Sequence, residues 1–134
     1  MMQQENIYFM EFQRRFGCED ACRDHLFRKR WPNGLTCPIC GGKHFYVIKT
    51  RNIFECRCKH QLSLTAGTIM HGSRTPLTKW FWVIYVRTYL KFVDSPHHLK
   101  KELNVSYQTA WSMLKKISGE IRLGEASIVN RLFN

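Results

Sequence analysis

Apolar side chains recur every three or four positions between Asn6 and Arg30, at Ile7, Phe9, Met10, Phe12, Phe16, Cys22, Leu26 and Phe27. That is the spacing of a helix with one buried face. Gly17 divides the segment, and Glu19 to Lys29 is the better-defined helix. Trp31-Pro32-Asn33-Gly34 ends it, because Pro32 disfavours helical backbone at Trp31 and Asn33-Gly34 is a turn pair. The period then shortens to two. His44 to Ile48 reads as a strand, Lys49 to Asn52 as a polar turn, Ile53 to Cys56 as the return strand, and Gln61 to Ala66 as a third strand ending at Gly67-Thr68.

Helical spacing returns after Thr75-Pro76, with Thr75 as the N-cap and Pro76 at the first helical position, where its missing N–H costs nothing. This helix carries Leu77, Trp80, Phe81, Ile84, Tyr85 and Leu90 and is predicted to be the most buried. Its aromatics are read as core rather than as a stacking platform for bases. Asp94-Ser95-Pro96 repeats the start signal, Ser95 capping a short helix through Leu99 and Leu103. After the turn Asn104-Val105-Ser106, Ser106 caps a longer helix from Tyr107 to about Arg122. There Ala110, Leu114, Ile117 and Ile121 form an apolar seam with Trp111 beside it, and Gln108, Thr109, Ser112, Lys115, Lys116 and Gly119 form the outer face. Two helices joined by so short a turn, the second with a polar and basic outer face, make a helix-turn-helix.

The expected fold class is therefore small α+β: N-terminal helices (1–34), a three-stranded ribbon (35–70), a three-helix helix-turn-helix unit (75–122) and a tail (123–134) too short to be a domain and expected to fray. The boundaries fall at Trp31 to Leu35 and at His71 to Arg74.

Chemistry enters with the cysteines. Cys37-Pro38-Ile39-Cys40 and Cys56-Arg57-Cys58 flank the first hairpin, and two close pairs brought together by strands suit a single tetrahedral Zn²⁺ bound by Cys37, Cys40, Cys56 and Cys58. The metal supplies folding energy that so short a sheet cannot gather by burial. The second pair is one residue tighter than ribbons usually show. His60 stands as the substitute ligand if that pair strains the site, with His44 behind it. Cys18 and Cys22 share a helical face near His25, but Cys22 is read as a core residue and Cys18 as a partly exposed thiol. His97 and His98 are read as a solvated first turn whose amides suit a phosphate.

Charge narrows the partner. The net charge is +11, and residues 1–30 hold six Lys and Arg against five Asp and Glu, so nearly all the excess lies beyond Arg30. A positive surface of this kind favours polyanions, with double-stranded DNA first. With 44% hydrophobic and 13% aromatic residues the chain is a folded globular protein. Six cysteines without a signal peptide indicate a reducing compartment, and the longest apolar run, Trp80 to Val86, is too short to span a bilayer, so the expected setting is cytoplasmic, associated with a bacterial nucleoid. No phosphate loop, nucleophile motif or close carboxylate pair is present. Beyond the N-terminal helices the acids are Glu55, Asp94, Glu102, Glu120 and Glu125 only, and an enzyme is not expected.

These residues carry a resemblance. Glu11 to Phe16, Ala21-Cys22, Arg30 to Gly34, Cys37 to Gly41, Cys56 to Cys58, Gln61 to Thr68, Thr75 to Phe81 and Leu103 to Trp111 resemble, in order, the N-terminal part of the zinc-ribbon insertion-sequence transposases of the ISXO-like group. The resemblance implies a DNA-binding module that recognises transposon ends ahead of an RNase-H-like catalytic domain, and so a role in transposition and DNA recombination. The family's acidic catalytic residues have no counterparts in this sequence, so strand transfer is not carried over.

Together these readings give a zinc-dependent, sequence-specific DNA-binding protein. Tyr107, Gln108, Thr109 and Ser112 are the base-contact candidates, and Lys100, Lys101, Lys115 and Lys116 the phosphate contacts. Lys49, Arg51, Arg57 and Lys59 form a secondary phosphate-contacting edge on the ribbon. The chain is either a transposase module or a standalone repressor or regulator. A catalytic transposase chain or other protein and a second copy in a homodimer are further candidate partners. The alternative of another class is a protein-interaction adaptor that uses the ribbon and the aromatic helix.

Overall fold

Gly17 does divide the N-terminal helices. α1 (Met2–Phe16) stops there and α2 (Glu19–Arg30) starts two residues later. A Cβ at position 17 would stand 2.4 Å from the Gln13 carbonyl oxygen, so only glycine lets the chain leave α1 this closely. The computed structural model describes residues 2–89, 95–124 and 127–133, and within α1 no side chain before Phe9. Ile7, Leu90, Asp94 and Glu125, all named above, lie outside the described residues or side chains.

The ribbon is an antiparallel sheet in the order β1 (Phe45–Ile48), β2 (Ile53–Cys56), β3 (Gln61–Ser63), with Phe45 opposite Cys56 and Ile53 opposite Ser63. A 3₁₀ turn at Lys49–Arg51 closes the hairpin on Asn52, whose left-handed backbone (φ 52°) asparagine tolerates. β3 is shorter than its alternation predicts. The Ser63 hydroxyl accepts from the Thr65 and Ala66 N–H groups at 3.2 and 3.1 Å, which draws the chain out of the ladder and turns Leu64 fully into the core.

α3 (Leu77–Tyr89) is the buried helix, with Leu77, Trp80, Phe81, Val83, Ile84, Tyr85 and Val86 all in the core. Its cap differs from the expectation. Thr75 does not hold the first amides; the Glu19 carboxylate does, accepting from the Leu77 N–H at 3.1 Å and the Thr78 N–H at 2.7 Å. Thus the first residue of α2 satisfies the exposed donors of α3, and its negative charge suits that helix end. The other end of α2 holds the ribbon. The Arg30 guanidinium donates to the Ser63 and Leu64 carbonyls, while Phe27 and Trp31 pack on Phe54 with ring centroids 5.2 and 6.0 Å away.

α4 (Pro96–Leu103) and α5 (Tyr107–Ile121) form the helix-turn-helix with the caps the sequence foretells. Ser95 accepts from the His98 N–H, Asn104 is left-handed (φ 55°), and Ser106 accepts from the Thr109 N–H at 3.1 Å. The α5 seam is Ala110, Met113 and Ile117, with Leu114 and Ile121 partly buried. Met113, three residues after Ala110 and four before Ile117, takes the central place. Trp111, about 100° round the helix from Ala110, stays 49% exposed.

The terminal segment does not behave as a fraying tail. Ser127 caps α6 (Ile128–Arg131) and donates to Glu120, while Ile128, Val129, Leu132 and Phe133 are buried. The Phe133 ring lies 5.2 Å from Phe16, 5.3 Å from Tyr85 and 5.7 Å from Phe81. Sequence reasoning missed this because seven residues carry too little periodicity to announce a buried face. The half-buried His25 ring stacks on Phe133 and its Nε2–H donates to the Leu132 carbonyl.

Two outcomes follow. Glu19→Ala lowers the unfolding free energy in urea by about 2 kcal/mol, since two amides lose a charged acceptor, and Glu19→Gln, which keeps one acceptor oxygen, lowers it by less. Burial holds the His25 pKa below its ordinary value; the bond to Leu132 opposes that, and Lys29, Arg15 and Arg28 reinforce it. The unfolded chain therefore binds this proton first, so stability falls as pH drops below about 6.5. Unfolding midpoints at pH 7.5 and 5.5 should differ more in the wild type than in His25→Gln.

Candidate metal centre and nucleic-acid face

Two turns build the cysteine cluster. In the first, the Cys37 N–H bonds to the Gly42 carbonyl and the Gly41 N–H to the Cys37 carbonyl, both at 2.9 Å, with Gly41 left-handed (φ 73°). A Cβ at Gly42 would come within 3.2 Å of the Cys40 sulfur and 3.6 Å of the Cys56 sulfur, so the turn closes against the site itself. In the second, Cys56 ends β2, its N–H bonds to the His60 carbonyl at 2.9 Å, and the Lys59 N–H returns to the Cys56 carbonyl at 2.8 Å. Lys59, directly after the pair, adopts φ 76°, a left-handed backbone that turns the chain back toward β3.

The pairs meet across the site. Cys37 Sγ lies 3.6 Å from Cys58 Sγ, Cys40 Sγ lies 3.3 Å from Cys56 Sγ, and all four sulfurs are within 4.8 Å of one another. A tetrahedral zinc with ordinary thiolate bonds has sulfurs about 3.8 Å apart, so the four residues fit the ion. His60 and His44 are not part of this group, and among the described residues no other group of three or more metal-ligating side chains occurs. Cys22 is fully buried, its sulfur 3.6 Å from the Phe16 carbonyl, and burial pushes its thiol up to about 12; Cys18 is exposed.

The backbone prepares the sulfurs for a cation. The Cys40 N–H donates to the Cys37 sulfur and, although burial opposes it, this bond together with the Ile39 N–H lowers Cys37 to about 6. The Cys58 N–H acts the same way on Cys56, but burial and the neighbouring Cys40 and Cys37 sulfurs outweigh it and raise that thiol. Four thiols this close cannot all ionise beside one another unaided, and a bound Zn²⁺ removes that repulsion.

The basic and polar residues divide between several places. Gln108, Thr109, Ser112 and Lys116 line a concavity whose opposite wall is the loop His71–Thr75. The Thr109 hydroxyl is tied to the Ser106 hydroxyl at 2.9 Å. Tyr107 lies on the other flank of α5, its ring 4.8 Å from His97, and beyond it Lys115 places its ammonium 4.7 Å from the exposed Trp111 ring. Lys100 and Lys101 are exposed in the last turn of α4, where the helix end favours cations.

The expected ribbon edge is split by the length of β2. Lys49 and Arg51 stand at the hairpin turn, Arg57 and Lys59 at the cysteine turn, with the strand Ile53–Cys56 between them. Lys49 lies 3.7 Å from Asp20, which also pairs with Arg23. Arg51 and Lys49 line a second concavity, again walled by the loop from His71. That loop, with His71 and Arg74, is the component sequence reasoning missed. It reads as a boundary, and a single arginine after Gly72-Ser73 carries no local signal of a site.

Residues 17–61 match a family model described as Transposase zinc-ribbon domain. Over 105 residues the chain is 29% identical to "Uncharacterized protein in transposable element ISH50" of Halobacterium salinarum, a match that covers 75% of this chain and 35% of that protein. The chain thus spans about a third of the length of the curated relative it matches. No solved structure matches it. Among the described residues, no helix is long and apolar enough to cross a membrane.

Two variants test the metal centre. Cys40→Ser is expected to unfold the helical core along with the ribbon, read by far-UV circular dichroism, and a variant that stays folded without zinc refutes the reading that the zinc-held ribbon clamps the N-terminal helices against α3. Gly42→Ala, crowding the Cys40 sulfur, should weaken zinc about tenfold in competition with a chelating dye. Cysteine spacing, sulfur geometry and the family match agree on a zinc ribbon: residues 17–61 of this chain match the transposase zinc-ribbon model, and the four cysteines within them are placed to hold the ion.

Proposed function

We propose that this chain is a zinc-dependent, sequence-specific double-stranded DNA-binding protein that recognises transposon ends. The observation that carries the reading is the outer face of α5. Directly after a three-residue turn capped by Ser106, Gln108, Ser112 and Lys116 follow one another at four-residue intervals along one concave surface. The first turns of a helix so placed reach base edges in a major groove, where glutamine pairs with adenine and a lysine meets phosphate or guanine. Tyr107 and Thr109 flank that row. Lys100, Lys101, Lys115 and Lys116 supply phosphate contacts from α4 and α5. One zinc ion holds the ribbon, and its role is structural.

Four thiolates fill a tetrahedral zinc and leave no position for activated water. The described acids beyond α2 are each engaged separately: Glu55 with Gln61, Glu102 with the Trp82 indole N–H, and Glu120 with Ser127. The similarity to a protein of a transposable element favours recognition of transposon ends over a standalone regulator.

A second reading, the protein adaptor, draws support from Ile39, Tyr46 and Val47, apolar residues of the ribbon that are 70%, 63% and 55% exposed. A salt titration separates the two, because phosphate contacts make log affinity fall steeply and linearly with log salt. On a site selected from random DNA, Gln108→Ala should relax base preference, while Lys115→Ala should weaken all sequences alike and reduce the salt slope by about one. Equal losses on every sequence in both variants sink the division of roles, and a flat salt response favours the adaptor.

A further inference from the structure

The loop from His71 to Thr75 walls both concavities of the basic face. On one side it faces Gln108, Ser112 and Lys116 of α5, and on the other the ribbon turn with Lys49 and Arg51. It is therefore a ridge between two troughs. We infer that this ridge is a second DNA-reading element, which sets Arg74 into the minor groove beside the major-groove contact of α5. The inference rests on the DNA-binding reading above and extends it to a part of the surface which that reading leaves out.

The order of features across the protein matches that across a duplex. Across a duplex the sequence is major groove, backbone, minor groove, backbone. Across this protein it is α5, a trough edged by Lys116, the ridge, and a trough edged by Arg51. With the first turn of α5 in a major groove, Gln108 faces base edges while Lys116, at the edge of the first trough, meets one phosphate strand, the ridge meets the minor groove, and Arg51, at the edge of the second trough, meets the other strand. A minor groove about 6 Å wide admits a single loop with one extended side chain but no helix.

The ridge is built to keep its shape. The Ser73 hydroxyl accepts from the Trp80 indole N–H and the Thr75 N–H, both at 3.1 Å, which ties the loop to a fully buried tryptophan. The Ser73 N–H bonds to the Met70 carbonyl, and Gly72 takes the left-handed backbone (φ 72°) that the bend needs. Arg74 is exposed on this fixed loop and, among the described residues, has no ion-pair partner. Glu19, the acid that lines the same trough, is committed to the amides of α3. An arginine whose charge is uncompensated is drawn to the enhanced negative potential of a narrow, A·T-rich minor groove.

The test uses the full zinc-loaded chain and a duplex selected from random sequence, with the base pairs flanking the α5 contact replaced by G·C or by inosine·C. Inosine lacks the exocyclic amino group, so inosine·C keeps the minor-groove face of A·T while changing its major-groove face. The expected site is A·T-rich in that flank, tolerates inosine·C and loses about tenfold in affinity with G·C. Arg74→Ala should abolish the difference between inosine·C and G·C and lower the salt slope by about one, with zinc content and circular dichroism unchanged because the side chain is exposed. Lys116→Ala should weaken binding yet keep the difference. No flank preference, or an Arg74→Ala protein that still discriminates, overturns the inference, and so does one that loses salt slope alone and keeps the difference. In those cases a base-preference change in Gln108→Ala leaves the DNA-binding reading standing, whereas a wild type without salt-dependent binding removes both.

Discussion

A sheet whose strands are four, four and three residues long buries little, and the convergence of four cysteine sulfurs to within 4.8 Å is what lets it exist. The cluster fixes the two turns, the turns fix the register of β1 on β2, and the register decides that Phe54 faces α2 and that the chain after Ser63 delivers Leu64 into the helical core. Loss of the metal centre would therefore be felt beyond the ribbon, because one of the largest fully buried side chains of the core arrives through it.

α2 carries that constraint to the rest of the molecule. Its first residue, Glu19, holds the opening amides of α3, and its last, Arg30, holds the carbonyls where β3 ends. Between them Cys22 and Leu26 are fully buried. The ribbon and α3 are thus tied to opposite ends of one twelve-residue rod. A surface that uses both the ribbon turn and α5 needs such a brace, since two modules on a slack linker would have to be ordered on binding, at a cost in affinity.

The same arrangement explains why the basic residues act as separate groups. β2 places Lys49 and Arg51 at one end of the hairpin and Arg57 and Lys59 at the other, while Asp20 offsets part of the charge nearest α2. On α5 the concave flank carries glutamine, serine and lysine, and the opposite flank carries Tyr107 against His97 and Trp111 beneath Lys115.

The sequence by itself determined most features whose cause lies within a few residues, the early end of β3 at Ser63 excepted. The break at Gly17, the stop after Arg30, the hairpin around Asn52, the serine caps of α4 and α5, and the two cysteine pairs are local conformational or chemical signals, and all are found where those signals stand. Only the tertiary structure decided features made by distant partners. Glu19 replaces Thr75 at the start of α3 from 58 residues away, Met113 rather than Leu114 takes the centre of the α5 seam because the neighbouring helices select it, and the last residues are drawn in by Phe16, Tyr85 and Phe81. The loop at Arg74 belongs with these. Its five residues read as a boundary because their composition gives only a turn, and they become the shared wall of two basic troughs only when the packing of α3 brings the ribbon and α5 to either side of them.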